Sequence, residues 1–293
     1  MKTQWIVENL VKEPSFAELT KAIKELGYPL IEINGDYSAD MLRTKLKLLW
    51  VSVANIPVYD NQCVMVNGSI KMCKLLGEEL KMGCYPITFS SFEKYKCSSY
   101  YSHFGEYLFN DKYCMMSLKE LVRQKYAVWG NYSKDNMLFI RPDSGEKSFQ
   151  AGLVDIVDLS TLWESNKDVE HELILVSTPK QIHWEGRFVV SKERGIIASS
   201  TYRFMGKTAI IPSVPVEATK FCKELLKVDY HPDPVYCLDI CQDSDKNCWL
   251  MEVTSFSCAG LYATDKTAIV KAVSEIAEEE YEKHHPKPPV SMV

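Results

Sequence analysis

Two cations bracket a glycine loop in the stretch Met137–Val154, M-L-F-I-R-P-D-S-G-E-K-S-F-Q-A-G-L-V. Arg141 follows an apolar run, Met137–Ile140, long enough for a buried strand, and Pro142 stops the ladder because it lacks a backbone donor. Asp143-Ser144-Gly145 is turn chemistry, Lys147 comes next, and a second apolar run begins at Phe149. The pattern predicts strand, flexible loop, strand, with one cation at each end of the loop. Two cations and close-approaching backbone N–H groups suit a polyphosphate. The same spacing also describes a surface hairpin with two solvated charges. A second chemical pair lies further on. If Val235–Cys241 and Cys248–Thr254 form a hairpin centred on Asp245-Lys246, Asp239 and Glu252 sit opposite one another on one face. Opposed carboxylates repel without a counterion, and together they suit Mg²⁺, a hard cation that takes carboxylate and phosphate oxygens. A one-residue slip in register would turn one of them to solvent. Between the two pairs, the run Ile182–Val190 places Glu185 and Arg187 on the same side of a strand.

The elements that must position these residues follow from periodicity. Trp5–Val7 reads as a strand. Pro14–Leu26 reads as a helix with Phe16, Leu19, Ile23 and Leu26 on one face and Gly27 as its stop. Leu30–Ile33 is a second strand, and strand–helix–strand at this spacing predicts a parallel α/β unit. Leu46–Ile56 and Val64–Val66 are further apolar runs, and Asn67-Gly68-Ser69 can cap a helix from Ile70 through Leu80. Phe92, Tyr95, Tyr100, Tyr101, Phe104 and Tyr107 make Phe89–Tyr113 strongly aromatic. Such residues can stack nucleobases, but the reading favoured here is a filled domain interface. Leu118–Tyr126 is helical, Leu173–Val176 is a buried strand, and Ile196–Tyr202 is the hairpin partner of Ile182–Val190. Helices over Thr219–Leu226 and Thr267–Glu280 complete the pattern, and no internal repeat is present.

A net charge of −5 over 293 residues excludes a protein that coats nucleic acid non-specifically, and leaves room for a local basic cleft. The ten cysteines include no C-x-x-C pair, and Cys237, Cys241, Cys248 and Cys258 have the wrong spacing for a zinc ribbon or finger. They read as reduced core thiols, and with no leader or membrane-length apolar run the expectation is a cytoplasmic protein. The sequence offers no Ser-His-Asp or Cys-His constellation. Chemistry here would rest on positioning and charge neutralisation.

Five strings stand in a recognisable order: Phe139–Gly152, Glu185–Val190 (E-G-R-F-V-V), Ser199–Arg203 (S-S-T-Y-R), Leu238–Ile240 (L-D-I), and Met251–Tyr262, where M-E-V-T leads to A-G-L-Y. With the opening W-I-V-E-N they resemble the ATP-grasp superfamily, and within it the R2K clade of compact, often phage-encoded members. The resemblance implies an α/β (α+β) chain with the ATP-grasp fold. Residues 1–115 would form an N-terminal α/β pre-ATP-grasp domain and 116–283 the ATP-grasp domain, with a lid hairpin over 137–154 and a disordered tail at 284–293. Arg141 and Lys147 would hold ATP phosphates, the Gly145 loop would be the mobile lid, and Val176 with nearby backbone would meet the adenine edge. Glu185 and Arg187 would shape the triphosphate and acceptor side, with Arg203 as a further phosphate or substrate contact. Asp239 and Glu252 would bind Mg²⁺, with Thr254 where members usually carry Asn. A hydroxyl is a weaker oxygen ligand than an amide carbonyl, and this lid also lacks a run of several glycines. The implied activity is an ATP- and Mg²⁺-dependent ligase that activates a carboxylate as an acylphosphate for attack by an amine or other nucleophile. The clade's proposed role in RNA repair makes an RNA end a candidate substrate, in the host cytoplasm if phage-encoded. The acidic net charge favours a small-molecule or peptide acceptor. Thr254 motivates the alternative, a catalytically weak nucleotide-binding sensor or regulatory module.

Overall fold

Gln4–Asn9 (β1) carries Trp5, Ile6 and Val7 with no exposed surface, so both faces of this strand must be covered. The computed structural model, which describes residues 2–9, 14–34, 62–80 and 83–285, shows how. Pro14–Glu25 (α1) covers one face with Phe16, Leu19 and Ile23. Leu30–Asn34 (β2) and Gln62–Asn67 (β3) flank β1 in parallel. Ile70–Leu80 (α2) covers the other face with Met72, Leu76 and Leu80, its first turn capped by the Ser69 hydroxyl, 3.2 Å from the Met72 amide. Cys84–Ile87 (β4) completes a parallel sheet of order β2-β1-β3-β4. The expected strand at Leu46–Ile56, and the tail beyond 285, lie outside the described residues.

The middle of the chain builds a smaller antiparallel sheet. Cys97–Phe104 (α3) precedes Tyr113–Ser117 (β5), and Leu118–Arg123 (α4) and Lys125–Tyr132 (α5) follow. Met137–Pro142 (β6) and Gly152–Asp155 (β7) form the hairpin around the cationic loop. Leu159–Ser165 (α6) leads to Leu173–Ser177 (β8), and the order is β5-β8-β6-β7. The ladder resumes at Gly152, opposite Ile140, and not at Phe149, so the loop runs from Asp143 to Ala151.

A five-stranded antiparallel sheet supplies the floor. Trp184–Ser191 (β9), Gly195–Phe204 (β10), Lys207–Ile211 (β11), Tyr236–Gln242 (β12) and Cys248–Ser255 (β13) are ordered β11-β10-β9-β12-β13. Val216–Leu225 (α7) and Lys266–His284 (α8) pack on it. One face places Phe188, Val190, Leu238 and Ile240 against Tyr95, Tyr100, Tyr101 and Phe104. Those aromatics are almost fully buried, which makes them interface filling and not a nucleobase platform. On the other face Val189 and Cys237 join the core of the first sheet, while the charged residues further along stay apart from it. Among the described residues no helix is long and apolar enough to cross a membrane.

Candidate active site

Strand pairing decides which charges meet. On β12, Asp239 lies opposite Glu252 of β13 on one side and Arg187 of β9 on the other. A single rung of the floor sheet therefore carries two carboxylates and a guanidinium on one face. Asp239 and Glu252 oppose one another as expected, through a bulge that shifts the register by one residue after the Ile240–Leu250 pairing. Their charge is balanced differently from the expectation, because each carboxylate has its own cation. Arg187 donates from Nε to Asp239 Oδ1 at 2.8 Å and from Nη2 to Oδ2 at 2.7 Å, a bidentate pair with both side chains buried. Its Nη1 donates to the Gly260 carbonyl at 2.8 Å. The guanidinium lies 5.1 Å from the Tyr262 ring, which stacks on Tyr202 at 4.8 Å. Burial alone would favour neutral Arg187, but Asp239 outweighs it and keeps the guanidinium charged.

Glu252 is where the β6–β7 hairpin meets the floor sheet. Arg141 donates from Nη2 to Glu252 Oε1 at 3.1 Å and from Nη1 to the Met251 carbonyl at 3.3 Å. Its Nε is buried with no hydrogen-bond partner. Lys147 Nζ stands 3.4 Å from the same Glu252 oxygen and is half exposed. Burial raises the Glu252 carboxyl, yet Arg141, Lys147 and Arg187 together hold it below the ordinary range. The linkage sign follows from that depression. Glu252 contributes stability above the unfolded carboxylate value, and the contribution is lost as pH falls through its lower folded value. The melting-temperature gap between wild type and Glu252→Gln is therefore expected to be widest near neutral pH and to close on acidification. A gap that stays constant between pH 7 and pH 3 would contradict the pairing.

The loop that delivers Lys147 is seated on the aromatic segment. The Asp143 carboxylate accepts from the Ser98 amide at 2.6 Å and the Ser98 hydroxyl at 2.8 Å, at the N-terminal turn of α3. Lys74 of α2 reaches Glu146 at 2.8 Å. Gly145 is required by close approach, since a Cβ there would lie 2.8 Å from Tyr95 Cβ and 2.9 Å from the Phe92 carbonyl oxygen. Gly145→Ala must push this loop off its seat, at a cost of about 1–3 kcal/mol for an overpacked contact. Urea denaturation checks the value, and an unchanged midpoint would remove the close approach from the account.

The β6–β7 hairpin and the floor sheet enclose a cleft of about 560 Å³. It is lined by the apolar Phe139, Phe149 and Ile182 and by the charged Arg141, Lys147, Glu185, Arg203 and Glu252. Arg203 at the mouth donates to Glu185 at 3.3 Å and is half exposed. Such a cleft matches a ligand with a flat apolar head and a charged tail.

No protein-family model matches the chain, and no curated protein matches it. Its likeness is to solved structures. D-cycloserine synthetase DcsG superposes with a TM-score of 0.60 at 10% identity, over 94% of this chain and 99% of that one. D-alanine–D-alanine ligase from Bacillus anthracis complexed with ATP gives a TM-score of 0.55 at 11% identity, over 97% and 100%. The ATP-grasp ligase PsnB complexed with minimal precursor, Mg and ADP gives 0.50 at 10% identity, over 94% and 98%. This chain has the ATP-grasp fold.

Within that fold, five of the residues singled out by sequence line the cleft: Arg141, Lys147, Glu185, Arg203 and Glu252. Arg187 and Asp239 are bound to each other on the rung beside Glu252. Thr254 is on the next rung of the same face, opposite Cys237, and is buried. Val176 lies elsewhere. Its side chain is in the core of the lid with Leu138 and Ile140, and its backbone sits between β5 and β6, opposite Cys114 and Ile140. The apolar wall comes instead from Phe139, Phe149 and Ile182, which sequence reasoning did not single out. Phe139 was findable, since it is two residues before Arg141 on the same strand face. Tyr202 and Tyr262, which stack on each other beside the Arg187 guanidinium, lie inside two of the matched strings but were given no role. For a divalent ion, no cluster of three or more His, Cys, Asp or Glu residues is present among the described residues. Asp239, Glu252 and Thr254 nevertheless offer oxygen donors only, and two carboxylates completed by substrate phosphates are the donor set Mg²⁺ takes.

Proposed function

We propose that this chain is an ATP- and Mg²⁺-dependent ligase that activates a carboxylate for attack by a nucleophile. The observation that carries the reading is the convergence of Arg141 and Lys147 on Glu252, next to the Arg187–Asp239 pair, in a half-apolar cleft. The adenine would lie against the apolar lining of Phe139, Phe149 and Ile182. Arg141, with its unpartnered Nε, and Lys147 would turn from Glu252 towards the phosphates. Mg²⁺ held by Asp239 and Glu252, with Thr254 nearby, would neutralise phosphate charge. Arg187 keeps its orientation through Asp239 and Gly260, and retains N–H groups beyond the three already used. In the first step a carboxylate oxygen of the donor attacks the γ-phosphorus, the β–γ bridge bond breaks, and ADP leaves. In the second, the nucleophile attacks the acyl carbon and inorganic phosphate departs. Neither step needs a side-chain nucleophile, which suits a cleft lined by Arg, Lys and carboxylates.

The acceptor class favoured here is a small amine, amino acid or peptide. The net charge of −5 and the burial of Tyr95, Tyr100, Tyr101 and Phe104 weigh against the RNA end implied by the R2K resemblance. By their names, D-cycloserine synthetase and D-alanine–D-alanine ligase make small products. The sensor alternative retains one supporting observation, a buried Thr254 on the rung beside Asp239. An ADP-release assay with Mg²⁺, run against pools of amino acids, short peptides and RNA ends, tests the reading. Release stimulated by a carboxylate-bearing pool is expected. Release with RNA ends alone, or with no pool, would overturn the acceptor class or the ligase reading respectively. Lys147→Ala should weaken ADP binding by about 1.5–3 kcal/mol, the range for a charge-assisted contact; calorimetry showing wild-type affinity would remove its phosphate role.

A further inference from the structure

Two thiols from distant parts of the chain face one another beside the floor sheet. Cys73 is on the first turn of α2, and its Sγ donates to the Ser257 carbonyl at 3.5 Å. Cys258, the next residue, packs against the cluster that contains Cys73 and Met72. The two thiols lie within interaction range of each other, Cys73 buried and Cys258 half-buried. The surrounding backbone is stitched in place. The Gly68 amide donates to the Ser257 carbonyl at 2.9 Å, Asn67 Nδ2 to the Phe256 carbonyl at 3.1 Å, and the Cys258 amide to the Ser255 hydroxyl at 3.2 Å. The polar contacts with Cys73 and Ser255, with the nearby Lys147 charge, lower the Cys258 thiol against the opposing effect of burial. The other neighbouring thiols behave oppositely. Burial pushes Cys63 up to about 11 and Cys84 up to about 12.

We propose that Cys73 and Cys258 form a redox site, a reversible disulfide in which Cys258 is the attacking thiol and Cys73 the resolving one. The oxidant is a peroxide. The Cys258 thiolate displaces hydroxide from hydrogen peroxide to give a sulfenic acid, and the hydroxide takes a solvent proton to become water. The Cys73 sulfur then attacks the sulfenic sulfur. The sulfur–sulfur bond forms, and the second hydroxide leaves with the Cys73 proton as water. The bond ties α2 to the segment that ends in Gly260, whose carbonyl holds Arg187. It would thus staple the support of the floor guanidinium to the first sheet. The proposal does not depend on the ligase reading.

The test is peptide mapping of the full chain after hydrogen peroxide, with free thiols alkylated under denaturing conditions. Fragmentation of the linked species must place the bond between Cys73 and Cys258, with Cys63 and Cys84 still alkylated and the link lost on dithiothreitol treatment. The oxidised protein should melt higher by roughly 5–10 °C, because the cross-link closes a long loop. Cys84→Ser should keep both effects, and Cys73→Ser and Cys258→Ser should lose them. Complete alkylation of both thiols after oxidation, or a link from Cys258 to another cysteine, would overturn the proposal. The wild-type map decides alone if a serine variant does not fold.

Discussion

Asp239→Ala is expected to lower the stability of the chain by about 3–5 kcal/mol, the cost of removing one partner from a buried ion pair. The lost carboxylate accepts both the Nε and Nη2 donors of Arg187. Arg187 is only 6% exposed and would keep the Gly260 carbonyl as its hydrogen-bond acceptor among the described residues. Neither solvent nor a neighbouring carboxylate in direct contact replaces what is removed. The pair as a whole need not be strongly stabilising, since its Coulomb attraction is set against the desolvation of two ions. Replacing both partners with apolar residues of similar volume, Arg187→Met with Asp239→Leu, should therefore recover most of the loss. Urea denaturation of the single and double variants separates these effects. A single variant within about 1 kcal/mol of wild type would mean that Arg187 finds another partner.

Glu252→Gln should have the largest effect on activity, reducing ADP release by about 10³-fold, at the upper end for loss of one preorganised electrostatic group. It should also destabilise the protein without ligand. Two opposed carboxylates considered alone predict the reverse, because neutralising one relieves repulsion. The structure changes the sign. Arg141 is buried and bonded to Glu252, and Lys147 reaches the same oxygen, so the carboxylate is the counter-ion of the lid. A glutamine oxygen retains one acceptor without the charge, which places the loss at about 1.5–3 kcal/mol. A Glu252→Gln protein that melts above wild type would show that the carboxylate pair is strained and that Arg141 is held by other contacts.

The parts legible in the sequence were those governed by local periodicity. The opposition of Asp239 and Glu252 matches the hairpin expected from the alternation, but a bulge between Asp239 and Ile240 produces it, since the register at the turn would otherwise pair Asp239 with Met251. The parallel unit of β1, α1 and β2 was legible from its periodicity. The Arg187–Asp239 pair was not. It depends on β9 and β12 being neighbours, although β10, β11 and α7 separate them in sequence. The sign expected for Glu252→Gln depends on that long-range adjacency and on the hairpin's approach to the floor, neither of which is local in sequence. The Val176 side chain does not line the cleft because an apolar strand end can face either a ligand or its own core, and here it packs with Leu138 and Ile140. Strand β11 was missed because an exposed edge carries no burial pattern, with Ile210 and Ile211 about half exposed.

The central claim is that the cleft between lid and floor binds a nucleotide through a metal ion. Calorimetric titration of the purified chain with ADP, with and without Mg²⁺, measures it most directly. One site per chain is predicted, tight only with Mg²⁺ and weakened in Lys147→Ala. Identical heats with and without the metal, or no binding in either case, would contradict the account.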